Sequence, residues 1–228
     1  MKSIVVAVFI FGSLQCFAQR SVGVKIYQNT DVFEKQYYDS RFGVTTKVNS
    51  VNYSRVSVAL SIDRKNGWVQ EVEVLMPEIS RPLEKAQYPM NYKFRQGEFN
   101  GKVSAYSARY ELNRLLTNAE SRIAFFFGVG LNPYFVNAVY SPTSPNWFKS
   151  STATYGVVLN ITPRVAYRIS ERFSVDVNVP FKVYDLRGEY NYYRNPAIPM
   201  RQRKENTFSS VFFEQAYTFR VGVLYRLG

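Results

Sequence analysis

From Phe173 to Val183 every odd position is apolar and every even one is polar, small or proline, and no other feature of the chain constrains its fold so tightly. A period of two belongs to the β-strand, whose successive side chains point to opposite faces. One face of this segment therefore meets an apolar medium and the other does not. The closing segment repeats the pattern, with Val211, Phe213, Tyr217, Phe219, Val221, Val223, Tyr225 and Leu227 on one face and Glu214, Thr218, Arg220, Gly222 and Arg226 on the other.

Six further segments carry the same signature: 21–28, 51–63, 68–76, 101–115, 122–135 and 155–169. In the second, Val56, Val58, Leu60 and Ile62 oppose Arg55, Ser57, Ala59 and Ser61; in the fifth, the alternation runs Ile123, Phe125, Phe127, Val129, Leu131. Between the strands the connections alternate in length. Asp63 to Gly67, with its Asn66-Gly67 pair, is a hairpin turn, and Thr117 to Ser121 and Ser170 to Arg172 are also short. The segments 29–50, 77–100, 136–154 and 184–207 are long and are expected to be loops. An even number of strands, short turns at one end and long loops at the other is the arrangement of an outer-membrane barrel. The strands, about 9 to 15 residues each, meet the length a tilted membrane strand needs. The expected fold is all-β: an eight-stranded antiparallel transmembrane up-and-down β-barrel. It is closed because lipid leaves no partner for an open edge, and both termini are expected in the periplasm.

Export is written at the N-terminus. Lys2, the apolar run Ile4 to Gly12 and Cys16-Phe17-Ala18 form a signal peptide expected to be cleaved after Ala18, so that residues 1–18 are signal and 19–228 the barrel domain. The apolar run is too short for a transmembrane helix, and Gln15 is bulky where lipidation of Cys16 would want a small residue. Cys16 is the one cysteine and there is no histidine. The mature chain thus has no disulfide, thiol nucleophile, thiolate ligand or imidazole base. No metal site and no cofactor are expected. A formal net charge of +12 at pH 7 would suggest a polyanion partner. The positive residues are dispersed, no recognition motif accompanies them and the chain is exported, so nucleic acid is excluded in favour of anionic lipopolysaccharide and phospholipid.

If the apolar faces look outward, the interior carries Lys25, Arg55, Glu71, Glu73, Arg109, Glu111, Arg164, Arg168, Asp176, Lys182, Glu214, Arg220 and Arg226. The interior of eight strands is just wide enough for side chains to fill, and charges buried there must pair. The expectation is an ion-pair network closing a non-conducting lumen, with a narrow solute or ion path as the alternative. A soluble periplasmic ligand-binding barrel is the other alternative, with the same strands turned inside out.

Partner recognition is expected in the fourth long loop, where Tyr190, Tyr192, Tyr193, Arg194, Arg201, Arg203 and Lys204 set aromatic area beside positive charge. Trp147-Phe148 are candidates for the outer aromatic belt, Trp68 and Tyr225 for the inner one. No enzyme is expected: histidine-dependent triads are excluded, and Gly128 and Gly130 read as close-packing positions because no phosphate-loop signature follows them.

Three fragments carry a resemblance: Arg122-Ile123-Ala124-Phe125-Phe126-Phe127-Gly128-Val129-Gly130, Pro163 through Phe173, and the terminal Phe219-Arg220-Val221-Gly222-Val223-Leu224-Tyr225-Arg226-Leu227. With the Ala18-Gln19 boundary, the chain resembles the small, porin-like outer-membrane β-barrel proteins common in Bacteroidota, best over 122–228. The resemblance implies insertion by the barrel-assembly machinery, which reads the last strand. That strand often ends in an aromatic; this one ends Leu227-Gly228, with Phe219 and Tyr225 still supplying outward rings. The expected role is a non-enzymatic structural, adhesive or complex-accessory one in the cell envelope, with an envelope protein as candidate partner.

Overall fold

The computed structural model describes residues 19–39, 44–64, 66–82, 99–118, 121–142, 148–213 and 216–227, leaving out the side chains of 19–20, 31–53, 99 and 216–217. The signal segment 1–18, Trp147 and Glu214 lie outside the described residues. The strands are β1 (Gln19–Asp39), β2 (Val44–Arg64), β3 (Trp68–Leu75), β4 (Glu78–Pro82), β5 (Phe99–Leu115), β6 (Ile123–Pro142), β7 (Ser150–Arg168), β8 (Phe173–Asn178), β9 (Phe181–Tyr193), β10 (Lys204–Phe212) and β11 (Ala216–Arg226). They make eight antiparallel staves, because β3 continues into β4, β8 into β9 and β10 into β11. The sheet closes where β11 returns to β1, from Gly23 opposite Arg226 to Phe33 opposite Ala216. Closure gives every stave of this belt two neighbours, so its backbone groups are paired within the wall.

Alternation decides what faces where. Phe125, Phe127, Val129 and Leu131 on β6 point out, as do Val221, Val223 and Tyr225 on β11, while Gly128, Gly130, Arg220 and Gly222 are buried within. A soluble binder needs the reverse polarity, with a wet exterior and an apolar lumen, so that alternative is corrected. On the outer wall a groove of about 370 Å³, floored by Pro163 and Val165 between Phe125, Phe127 and Val177, Val179, is lined by apolar side chains.

The short connections share one end with Gln19 and Leu227, where the described wall begins and ends. Gly67 has a φ of 77°, the left-handed conformation that glycine accepts without a Cβ penalty, and its amide donates to Arg64 O at 3.2 Å. At this end Tyr225 lies against Phe173, ring centroids 5.0 Å apart, and the Arg114 guanidinium sits 5.4 Å from the Trp68 ring.

At the other end three of the four expected loops are largely strand. β1 and β2 run on through 29–39 and 44–50, β6 and β7 through 136–142 and 150–154, and β9 and β10 through 184–193 and 204–207; of 77–100, residues 78–82 and 99–100 are strand. The inter-strand hydrogen bonds continue past the point where alternation fades, and those bonds need no apolar side chain. Tyr190, Tyr192 and Tyr193 therefore stand on β9 rather than in a loop, Lys204 opens β10, and Arg201 and Arg203 lie in a 3-10 turn, Met200–Arg203.

A second correction concerns facing. Against β7 the register slips so that Leu159 meets Tyr184 while Asn160 meets Lys182, and Val183 is the extra residue. A bulge shifts parity by one. Beyond it the even residues Tyr184 and Leu186 face out and Asp185 is buried. Across the hairpin Phe213 has a φ of 49°, and its amide donates to Val183 O at 2.9 Å. The outward residues of β10 are thus Phe208, Ser210 and Phe212, in line with Gly188, Leu186 and Tyr184, while Val211 is half-buried and Phe213, just past the strand, is exposed as expected.

Candidate functional site: the charged lumen

Six strands send charge into the middle of the barrel. Four cations (Lys25, Arg109, Arg164, Arg220) and four carboxylates (Glu71, Glu73, Glu111, Asp176) are all buried there, so this set carries no net charge. Each is where it is because its strand alternates and its face turns inward. They come from segments far apart in the chain: Arg164 donates to Glu71, 93 residues away in sequence.

Arg220 sits at the centre, fully buried. Its Nη1 donates to Glu111 Oε1 at 2.6 Å, and its Nη2 to Glu73 Oε2 at 2.5 Å and Glu71 Oε1 at 3.4 Å. Its guanidinium lies 4.1 Å from the centre of the Tyr27 ring, a cation–π contact that strengthens in a desolvated setting. Arg164 donates to Glu71 at 2.8 Å and to Glu111 at 2.5 Å and lies 3.4 Å from Asp176. Lys25 joins Glu71 at 2.7 Å to Asp176 at 3.0 Å. Arg109 donates to Glu73 at 3.2 Å and to Asn132 at 2.9 Å. Around the rim, Asn178 donates to Asp176 at 2.7 Å, Asn29 to Ser57 at 2.7 Å, and Ser57 to Glu73. Such connectivity is what allows charges to stay in a dry interior.

β2 and β6 contribute none of these eight charges and put small residues inside instead: Ser57 and Ala59 on β2, Gly128 and Gly130 on β6. A Cβ at Gly128 would overlap Asn113 Oδ1, and one at Gly222 would overlap the Tyr27 ring. We expect Gly128→Val to destabilise the folded barrel by about 1–3 kcal/mol, the cost of overpacking. The check is the denaturant midpoint of the refolded protein in micelles; an unchanged midpoint would mean that the wall yields freely.

Other residues of the expected set lie off this centre. Arg55, Arg168 and Lys182 are half-buried, and each has an interaction partner. Arg226 lies 3.6 Å from Asp63 and donates to Glu171 O at 3.3 Å, at the end with the short turns. Two features escaped sequence reasoning. Tyr27 and Asn29 follow Lys25 at steps of two on the same inward face, so the period already contained them. The second cluster, in which Tyr134 donates to Asp185 at 3.0 Å and Arg187 pairs with Asp185 at 2.6 Å, was hidden by the bulge at Val183.

In the 184–207 segment the expected residues divide. Tyr192 stands directly across from Lys204 in the β9–β10 ladder. Arg203 is half-buried and spends its guanidinium on Ile198 O at 2.7 Å and Pro196 O at 3.0 Å, holding the turn. Arg194 and Arg201 are exposed. Among the described residues no group of three or more His, Cys, Asp or Glu is arranged to hold a metal ion.

A closed antiparallel barrel with an apolar wall outside and a neutral charged lattice inside is an outer-membrane β-barrel: lipid accepts a sheet only when its edges are closed and its outer face is apolar. The sequence matches no protein-family description and no curated protein. Among solved structures it is similar to Neisserial surface protein A (13 % identity, TM-score 0.47), with 91 % of this chain and 98 % of that one covered. It is also similar to a major outer membrane protein from Thermus thermophilus (11 % identity, TM-score 0.49, 90 % and 99 % covered). A third is the outer membrane protease OmpT from Escherichia coli (9 % identity, TM-score 0.49, 92 % and 98 % covered). Similarity at this level transfers no residue role and no activity.

Proposed function

We propose that this chain is a closed, non-enzymatic outer-membrane barrel that holds extended strands outside the cell for adhesion or as an accessory of an envelope complex. The observation that carries the reading is the neutral four-by-four charge lattice, which spends the lumen on structure. A transport path through the centre would have to break several buried ion pairs at once, each costly to leave half-made. Residues 1–18 act as a cleaved signal, and the end that bears the termini and short turns faces the periplasm. Insertion uses the barrel-assembly machinery, and the wall contacts lipopolysaccharide and phospholipid. The chain's kin are the small barrels of Bacteroidota that its closing strands resemble.

The test is conductance. Purified monomer in a planar bilayer is expected to give no sustained steps of nanosiemens. Sustained steps of that size would overturn the closed-lumen reading and leave a transport role in its place.

A further inference from the structure

The outer wall changes character above the row in which Tyr155 and Phe208 meet edge-on at 6.2 Å. From there the ladders run on without a register shift, Tyr192 standing opposite both Ser151 and Lys204. Counting by two keeps Ser151, Tyr192 and Lys204 on the face that carries Tyr155 and Phe208. Lys102 and Val139 continue the row across β5 and β6. On strands tilted by about 40°, this row stands about 10 Å above the Tyr155 row along the membrane normal. The headgroup layer adds about 5–8 Å to each side of the hydrocarbon, and the stems of lysine and arginine cover the difference.

One ladder bond further up, the Arg194 amide donates to Lys149 O at 2.9 Å, which sets these two residues opposite each other. Lys204 is their diagonal neighbour, and all three are exposed. Like charges set directly opposite repel, and among the described residues no carboxylate pairs with any of the three. The carboxylates of this ribbon turn the other way. Glu205, itself exposed, stands opposite Asn191. Asn191 donates to Glu189 at 2.9 Å and accepts from Thr152 at 2.6 Å. Thr152, Glu189, Asn191 and Glu205 therefore share the inward face, while Lys149, Arg194 and Lys204 share the outward one.

We propose that this outward face binds the phosphates of lipopolysaccharide in the outer leaflet, through Lys149, Arg194 and Lys204. An anion between Lys149 and Arg194 turns their repulsion into two charge-assisted contacts. Tyr190 and Tyr192, on the same face, lie against the sugars, and Tyr155 and Phe208 below them meet the acyl chains. A phospholipid brings one phosphate; a phosphorylated glycolipid brings several on a sugar frame, which matches cations spread over three neighbouring strands. The proposal rests on the reading that this end of the barrel faces outside the cell.

The test is native mass spectrometry of the full barrel in neutral maltoside micelles, titrated with core-truncated lipopolysaccharide or with the same lipid stripped of its phosphates. A one-to-one adduct is expected that needs the phosphates and weakens as salt rises. Lys149→Gln with Arg194→Gln should raise Kd about tenfold. Arg122→Gln with Arg172→Gln, two exposed charges at the short-turn end, should leave it unchanged. The fast-migrating unboiled band on SDS gels shows that each variant is folded. Equal binding of the stripped lipid, or an equal effect of both pairs of substitutions, would overturn the proposal. So would full competition by millimolar inorganic phosphate, because a free anion would then be the ligand. Orientation is read separately, by labelling Met200→Cys on intact cells with a membrane-impermeant maleimide, against the unsubstituted chain. Labelled cells without phosphate-dependent adducts sink the lipid site alone, and unlabelled cells sink the orientation whatever the micelles show.

Discussion

Arg220→Met is expected to destabilise the barrel by about 3–5 kcal/mol, the cost of breaking a buried ion-pair network from one side. The mutation strips Glu73 and Glu111 of their shortest Arg220 contacts, 2.5 and 2.6 Å, and leaves those carboxylates buried with fewer partners. It also removes the cation from the Tyr27 ring. The measurement is the denaturant midpoint, together with the fast-migrating unboiled band on SDS gels that converts on boiling. Arg220→Lys should recover part of the loss at most, because a point charge does not span two carboxylates as the guanidinium fork does. Adding Glu73→Gln and Glu111→Gln to Arg220→Met should recover much of it, since the penalty lies in the stranded charges more than in the lost attraction. A loss under about 1 kcal/mol for the single variant would mean that solvent screens the lattice, and its ion pairs would not be holding the barrel together.

Leu159→Arg tests the other face. Leu159 points out from the middle of β7, between Leu131 and Tyr184 of the neighbouring staves. An arginine facing lipid near the bilayer midplane costs about 2–4 kcal/mol, falling to about 0–1 kcal/mol near the interface. Leu159→Arg should therefore lower the fraction inserted and the midpoint in micelles or vesicles, whereas Phe148→Arg, just before β7, should scarcely change either. If the outward face met water, Leu159→Arg would be neutral. Equal behaviour of the two variants would sink the assignment of this band to hydrocarbon.

The two substitutions show how differently the faces were legible. The inward position of Lys25, Glu71, Glu73, Arg109, Glu111, Arg164, Asp176 and Arg220 follows from step-two counting along single strands. The same counting puts Phe125 and Leu159 outside. It failed where backbone geometry changed without a change in composition: the bulge at Val183 reverses parity, so Asp185 goes in and Tyr184 comes out. It also stopped too early at the far end of the barrel. Tyr190 and Tyr192 looked like loop residues because alternation fades there, yet the ladder to β7 and β10 holds them in strand.

By itself, then, the sequence determined the strand count, the closed all-β class and the sign of each face, because a period of two is a local property of the chain. Which charge meets which was decided only in three dimensions. Arg220 reaches Glu73 across 147 residues and Glu111 across 109, and no local spacing encodes a register between strands that far apart.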